Sequence, residues 1–481
     1  MKKSYIGLAL FAGMMGAGVL AFYPGLTGPY YADDFKFLFS EPSEKFFYFF
    51  LHPNPNGAFY RPLDSMVLAV IQSWAGSNTL PIHILALTLH AALSWLVMSW
   101  VAELTGSRLA GILSGVYMLL SQANAMAVLG NDTLSQIGGA LAGYGALWYF
   151  YRFNRERNDS PGASRSLLLS LILFACSLWF KETGVGFLLA IVAIAVTMGG
   201  ISARQVYPLA PYLLITLGYV IVRSIVLTGQ SAERYDFSFG ANFPVNLGMF
   251  YVSAFMPSSS VTAYLWLVEG SWLLIATIIL LTLTLSGSII WGVLRSPDSR
   301  LFWPVAAIAA VSVLPLTFMK HVSELYVYNM MPAISLLFGA GIAEIVRRCR
   351  TQPARVTVII SLAALFWSHA YADWTKSGMS TANGLKAWWL LEKVVPFAER
   401  VPRNGTLVLL NPPSTRPQYS IFLMEGFNPL NYSAHVIRQY SGREDIQVWI
   451  EDADRPRSPF PPQSLFVTLE GDQVVMSSRQ P

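Results

Sequence analysis

Long, nearly uncharged apolar segments recur through the first three quarters of this 481-residue sequence. A helix needs about 20 apolar residues to cross the roughly 30 Å of hydrocarbon in a bilayer. Composition agrees with membrane insertion, because 54% of the residues are hydrophobic and only 12% are charged. The predicted fold is therefore mainly α, a polytopic transmembrane helical bundle. We predict about eleven spans, at 5–23, 81–104, 108–129, 134–151, 166–180, 183–199, 207–228, 271–294, 301–319, 329–346 and 356–371.

The stretch 244–268 decides which side of the membrane each later loop occupies. Pro257 and three serines interrupt it. If it does not cross, the basic residues of the short loops all fall on one side, as the positive-inside rule requires. We therefore predict that it is re-entrant or lies on the outer surface, with a cytoplasmic N-terminus and an outward-facing tail. A cleaved signal peptide is the alternative for residues 1–23, and we favour an uncleaved anchor.

The formal net charge of +5 is explained by the same topology. Its basic residues gather in predicted cytoplasmic loops, as Arg347, Arg348 and Arg350 do. We therefore expect the lipid bilayer as a partner and no nucleic acid. Short loops and a basic N-terminus favour a bacterial inner (plasma) membrane.

Polar and charged residues gather at the predicted outer ends of the spans. The first outer loop, 24–80, is long and contains the acidic pair of "YYADDFKF". The middles of the spans are nearly free of charge, whereas transporters place ionisable groups there. This distribution favours chemistry at the outer surface over translocation. The other outward-facing groups are Arg61, Asp132, Lys181, Glu182, Lys320, His321, Glu324 and Tyr328.

Five short motifs resemble those of the GT-C superfamily, in particular its protein mannosyltransferase-like branch. They are "ADDF", "YRPL", "GNDTLS", "FKE" and "SELYVYNMMP", all at predicted outer junctions. The resemblance implies an integral-membrane glycosyltransferase that takes a sugar from a polyprenyl-phosphate-linked donor. The acceptor would be a hydroxyl of a protein, lipid or glycan on the outer membrane face. Two alternatives remain open, a flippase for lipid-linked saccharides and a non-catalytic membrane scaffold.

Sugar transfer from a lipid phosphate needs a base for the acceptor proton and cations for the departing phosphate. Asp33 or Asp34 is the candidate base, because neighbouring like charges near lipid raise the pKa of one carboxyl. The resemblance favours Asp33. Cationic donors stabilise charge on a leaving phosphate. The predicted donor-binding set is Arg61, Lys181, Lys320, Asp132, Glu182, His321, Glu324 and Tyr328.

A divalent cation is a further possibility, and the sequence requires no cofactor. Asp33, Asp34 and Asp132 would be its oxygen ligands. Each candidate also has a structural interpretation. The acidic pair would cap backbone N–H groups, Asp132 would be a turn residue, Arg61 an interfacial anchor, and Lys181 with Glu182 a surface ion pair.

The last quarter of the chain is less apolar and predicts a separate unit. We divide the chain into a GT-C-like transmembrane domain, 1–371, and a small α/β extracytoplasmic domain, 372–481, which is periplasmic in a bacterium. Within the second domain, helical spacing predicts a helix that starts at Asn383. The segment "SLFVTLEGDQVVMSS" predicts a hairpin around Glu470–Asp472.

Overall fold

The computed structural model describes most of the chain. The described ranges are 2–38, 47–54, 59–156, 162–199, 206–228, 239–296, 302–319, 323–411, 424–452 and 459–477. The predicted site residues Lys320 and His321 lie outside them.

Helices occupy the predicted spans. Seven helices in the described ranges are long and apolar enough to cross a membrane, or eight if one bent pair is counted as a single span. The mainly α, polytopic fold class is therefore confirmed. The helices are α1 Lys2–Phe22, α2 Tyr48–Leu51, α3 Pro62–Ala75, α4 Leu80–Thr105, α5 Arg108–Leu120, α6 Ala125–Leu129, α7 Leu134–Glu156, α8 Gly162–Phe180, α9 Gly186–Gly199, α10 Ala210–Val226, α11 Asn242–Phe255, α12 Ser260–Val268, α13 Trp272–Leu294, α14 Phe302–Val313, α15 Met331–Arg348, α16 Gln352–Ala398 and α17 Ala434–Ser441.

The ambiguous stretch 244–268 forms two short helices. α11 has 14 residues and α12 has 9. Each is shorter than the roughly 20 residues needed to cross a bilayer. Between them, Met256–Ser259 is not helical, and this segment contains Pro257. Neither helix is therefore long enough to span a membrane alone.

Small residues let the central helices approach closely. Gly339 in α15 faces Ala110 and Ser114 in α5, and a Cβ there would clash with the Ala110 carbonyl oxygen. Gly341 packs in the same way against Ile289 in α13. Such close backbone approach is the usual packing mode of membrane helices. These two close contacts hold α15 between α5 and α13.

A methyl group at Gly339 is expected to separate α5 from α15. Gly339→Ala should lower the free energy of unfolding by about 1–3 kcal/mol, because overpacking forces backbone shifts. Thermal unfolding in detergent measures the effect. Gly287→Ala is the matched control, since Gly287 lies in helix α13 with nothing within 4 Å of its added Cβ. Equal melting temperatures for the two variants would contradict close packing at Gly339.

A single helix joins the bundle to the C-terminal unit. α16 runs for 47 residues, through both the last predicted span and the segment after it. The prediction of a helix start at Asn383 is therefore wrong, because Asn383 is a buried residue inside α16. Gly384 does not end the helix, since it packs against the backbone of Pro29. The boundary proposed at 371/372 lies inside this continuous helix.

The C-terminal unit contains a four-stranded sheet with strand order β2-β1-β3-β4. β1 pairs in parallel with both β2 and β3, while β3 and β4 form an antiparallel hairpin. The hairpin turns at Gly471 (φ +60°), so the predicted hairpin and the small α/β unit are confirmed. The strands are β1 Thr406–Asn411, β2 Gln447–Asp452, β3 Ser464–Glu470 and β4 Gln473–Met476.

The first loop lies between the bundle and this unit. The Tyr31 hydroxyl is 3.0 Å from the Ser380 hydroxyl in α16. On the opposite side, Nε2 of His435 in α17 lies 3.0 Å from the Leu38 carbonyl oxygen. We call this end of the bundle, where residues 23–38 and 59–79 meet the C-terminal unit, the loop end. The candidate site lies here.

Candidate active site

The two adjacent acids of "ADDF" have different surroundings. They lie on the 3₁₀ helix Ala32–Phe37, where Asp34 is buried. The Asp34 carboxylate accepts hydrogen bonds from the Tyr31 amide (3.2 Å), the Asn131 amide (3.0 Å) and side chain (2.8 Å), and the Asp132 amide (3.3 Å). Burial and Asp132 raise the pKa of Asp34, and the bonds from Asn131 and Tyr31 oppose this rise. Asp34 therefore ties the first loop to the turn before α7.

Asp33 points the other way. Its side chain is 50% exposed, and its Oδ1 lies 3.6 Å from the Nζ of Lys36. Lys36 is itself only 5% exposed. Its ammonium lies 5.5 Å from the centre of the Phe59 ring. Asp33 is thus a solvent-accessible carboxylate paired with a buried cation.

Two cations from distant parts of the sequence, Arg61 and Lys181, interact with Asp132, whose backbone amide donates to Asp34. Arg61 donates two hydrogen bonds to Glu182, Nε to Oε2 at 3.0 Å and Nη2 to Oε1 at 2.8 Å. Lys181, buried at the turn between α8 and α9, donates through Nζ to Gln136. A bidentate pair fixes the guanidinium plane. Glu182 therefore orients Arg61 toward the site.

Electrostatic coupling shows that these groups form one cluster. Burial raises the pKa of Asp132 to about 6, with a further increase from Asp33, whereas Lys36, Lys181 and Arg61 lower it. Burial and Arg61 lower the pKa of Lys181 to about 8. Clustered groups whose pKa values approach neutrality are characteristic of sites that transfer protons.

Asp64 is the most isolated acid of this cluster. It lies in the first turn of α3 and is fully buried. Within the described ranges, neither of its carboxyl oxygens has a hydrogen-bond partner. Burial raises its pKa from 3.8 to about 8, against the opposing effect of Arg61. Asp64 is therefore protonated at neutral pH.

This protonation makes stability depend on pH. Between 3.8 and about 8 the folded protein holds a proton on Asp64 that the unfolded chain releases, so stability falls as pH rises. The contribution has a slope of up to about 1.4 kcal/mol per pH unit. Asp64→Asn should remove this contribution to the slope. Thermal unfolding in detergent across this pH range measures the slope. Asp472→Asn, on the exposed hairpin turn, should keep the wild-type slope. Identical slopes for wild type and Asp64→Asn would refute the assignment.

Other predicted residues lie elsewhere. Glu324 is 1% exposed and forms a buried ion pair with Lys376 of α16. Asp373, one turn earlier in α16, is also fully buried, and no hydrogen bond to its carboxyl oxygens is present in the described part of the chain. The Tyr328 hydroxyl bonds to Nδ1 of His90 at 2.9 Å, inside the bundle. The structure therefore does not bring Glu324 and Tyr328 into the cluster around Asp33.

A metal site made of three acids is not assembled in the described ranges. They contain no group of three or more His, Cys, Asp or Glu side chains placed to hold a metal ion. Asp34, one of the three proposed ligands, is occupied by N–H donors.

Sequence reasoning missed two residues of the cluster. Lys36 lies three residues after Asp33, a spacing at which helical side chains meet, and this signal was available. Asp64 follows directly after "YRPL". Its burial depends on α3 packing against α4, α7 and α8, which no local pattern reveals.

The helical bundle and the terminal sheet define a polytopic membrane protein whose fold is that of ArnT, so the fold class predicted from the sequence is confirmed. The chain is similar to ArnT from Cupriavidus metallidurans. For the crystal structure of ArnT in the apo state the TM-score is 0.54 at 12% identity, covering 93% of this chain and 86% of that chain. For the crystal structure of ArnT bound to undecaprenyl phosphate the TM-score is 0.53 at 13% identity, covering 98% of this chain and 97% of that chain. No protein-family profile and no curated protein matches the sequence.

Proposed function

We propose that this protein is a membrane glycosyltransferase that moves a sugar from a polyprenyl-phosphate-linked donor to a hydroxyl acceptor. The observation that carries the proposal is the cluster at the loop end. An accessible acid, Asp33, pairs with Lys36, and Asp132 interacts with Asp33 and with the cations Lys36, Arg61 and Lys181. The ArnT fold supports this class of enzyme. One ArnT structure contains undecaprenyl phosphate, which supports a polyprenyl lipid on the donor.

Asp33 serves as the general base in this proposal. It takes the proton of the acceptor hydroxyl as the acceptor oxygen bonds to the anomeric carbon. The bond from that carbon to the phosphate oxygen breaks, and polyprenyl phosphate leaves with the electron pair. A base placed in this way contributes about 10²–10⁴-fold to the rate. Asp132, on the adjacent turn, would orient the acceptor.

Arg61 and Lys181 would bind the donor phosphate. A planar guanidinium suits phosphate oxygens, and an ammonium adds a point charge. Glu182 holds Arg61 at 2.8 Å and so fixes its orientation. Positioned cations that meet charge developing on a leaving group are a major source of catalysis.

The site would face the extracytoplasmic side of a bacterial inner membrane, with the N-terminus in the cytoplasm and the C-terminal unit in the periplasm. Positive-inside counting supports this orientation. The acceptor would be a protein, lipid or glycan that reaches the loop end from that side.

Reconstitution in liposomes with radiolabelled polyprenyl-phosphate sugars tests the proposal. A transferase releases free polyprenyl phosphate and moves the label to a new product. A flippase leaves the donor chemically intact and changes only its leaflet, and a scaffold does neither. Lipids extracted with the purified protein give a second readout: a monosaccharide-phosphate polyprenol supports transfer, and a diphosphate-linked oligosaccharide supports transport.

A further inference from the structure

A tyrosine of the C-terminal unit reaches the acids of the first loop. The Lys36 ammonium lies 3.6 Å from the centre of the Tyr432 ring. The same ammonium lies 3.6 Å from Oδ1 of Asp33. Lys36 thus connects the C-terminal unit to the proposed base. Its charge is almost fully withdrawn from water, and an aromatic face is one of the few groups that can replace hydration of an ammonium.

The backbone at Tyr432 is strained. Its φ is +63°, in the left-handed region that favours glycine. A bulky aromatic residue is disfavoured in this region, and strained residues of this kind cluster at functional sites. The ring is nevertheless 51% exposed, so core packing does not account for its presence. The contact with the Lys36 ammonium gives the ring a role at this position.

A second contact fixes this segment over the loop. Nε2 of His435, three residues further on, lies 3.0 Å from the Leu38 carbonyl oxygen. Leu38 directly follows the 3₁₀ helix that carries Asp33 and Lys36. The segment 432–435 therefore covers the acid-bearing helix at two points.

We propose that Tyr432 is a positioning residue that holds Lys36 against Asp33, so that the C-terminal unit completes the site. This inference rests on the proposed function, since the role it assigns is to position the base of that reaction. The ring restricts the ammonium to one side of Asp33, where it stabilises the ionised carboxylate. Without the ring, Lys36 loses one of the groups that hold its ammonium beside Asp33.

Four variants at Tyr432 separate this role from folding. Tyr432→Phe keeps the aromatic face and should keep the transfer rate within about twofold, whereas Tyr432→Leu should lower it about tenfold. Tyr432→Trp also keeps an aromatic face, so its transfer rate should stay close to that of the wild type. Tyr432→Gly relieves the strained backbone, so it should melt at or above the wild-type temperature while transfer falls as in Tyr432→Leu. A loss of transfer with raised stability is not expected of a merely structural tyrosine.

The reactivity of Lys36 provides a readout that needs no activity. An amine-acylating reagent, followed by mass spectrometry, should label Lys36 slowly in the wild type and in Tyr432→Phe, and faster in Tyr432→Leu and Tyr432→Gly. Tyr440→Leu is the matched control, because Tyr440 is 54% exposed in the same unit and its ring lies edge-to-face with Trp388, 6.1 Å between centroids. It should match the wild type in both assays.

The outcomes distinguish the two proposals. If transfer is active and Tyr432→Leu and Tyr432→Gly match the wild type in both rate and labelling, the positioning role is overturned. If no donor is transferred by the wild type, the proposed function fails. Faster labelling of Lys36 in Tyr432→Gly would then still support the contact, and unchanged labelling would overturn it.

Discussion

Asp33→Asn is expected to lower sugar transfer by about 10²–10⁴-fold, the usual contribution of a general base. The amide keeps the size and polarity of the side chain but cannot accept the acceptor proton. Because Asp33 is half-exposed but pairs with the buried Lys36, its replacement should cost no more than about 1 kcal/mol of stability. Transfer from a radiolabelled polyprenyl-phosphate sugar, at matched amounts of folded protein, measures the loss.

Two further variants identify the reacting acid. Asp472→Asn, on the exposed turn between β3 and β4, removes an equal charge away from the cluster and should transfer at the wild-type rate. Asp34→Asn should act through stability, since it alters a carboxylate that accepts four hydrogen bonds. Full activity in Asp33→Asn would eliminate Asp33 as the base. Loss in a well-folded Asp34→Asn alone would assign the role to Asp34.

Lys376→Met is expected to destabilise the protein by about 3–5 kcal/mol, as happens when one partner of a buried ion pair is removed. Lys376 is the cation paired with Glu324, and both are almost fully buried. Its removal leaves two buried carboxyls, Glu324 and Asp373, without that cation. Chemical or thermal unfolding in detergent measures the loss.

The double variant Lys376→Met with Glu324→Leu should be more stable than Lys376→Met alone, because the stranded carboxylate is gone. Lys393→Met is the matched control, since Lys393 is exposed on the same helix, and its effect should stay within about 0.5 kcal/mol. If Lys376→Met matched this control, the ion pair would contribute nothing to stability.

Hydropathy predicted the membrane helices because the bilayer imposes one length on every span. The same rule failed at α16. Helical spacing predicted a helix from Asn383, but no local pattern showed that residues 372–382 join it to the last span. This segment packs against the first loop, as Ser377 does against Gly25. Local patterns identify where a span leaves the membrane, and tertiary contacts decide where the helix ends.

The membership of three residues in the cluster was predictable from the predicted membrane topology. Arg61, Asp132 and Lys181 were selected because all three lie at junctions on one predicted side, and the structure brings them together. The different environments of Asp33 and Asp34 were not predictable, since they depend on Asn131, almost a hundred residues away. The same applies to Glu324, whose partner Lys376 lies 52 positions further on.

The continuous helix α16 also has a mechanical consequence. At about 1.5 Å per residue, a helix of this length extends about 70 Å, more than twice the thickness of the hydrocarbon core. The bilayer-facing half and the half beneath the sheet therefore turn as one rod. Because this rod also contacts the first loop, through Ser380 and Tyr31, it holds the loop end at a fixed distance from the membrane-crossing half.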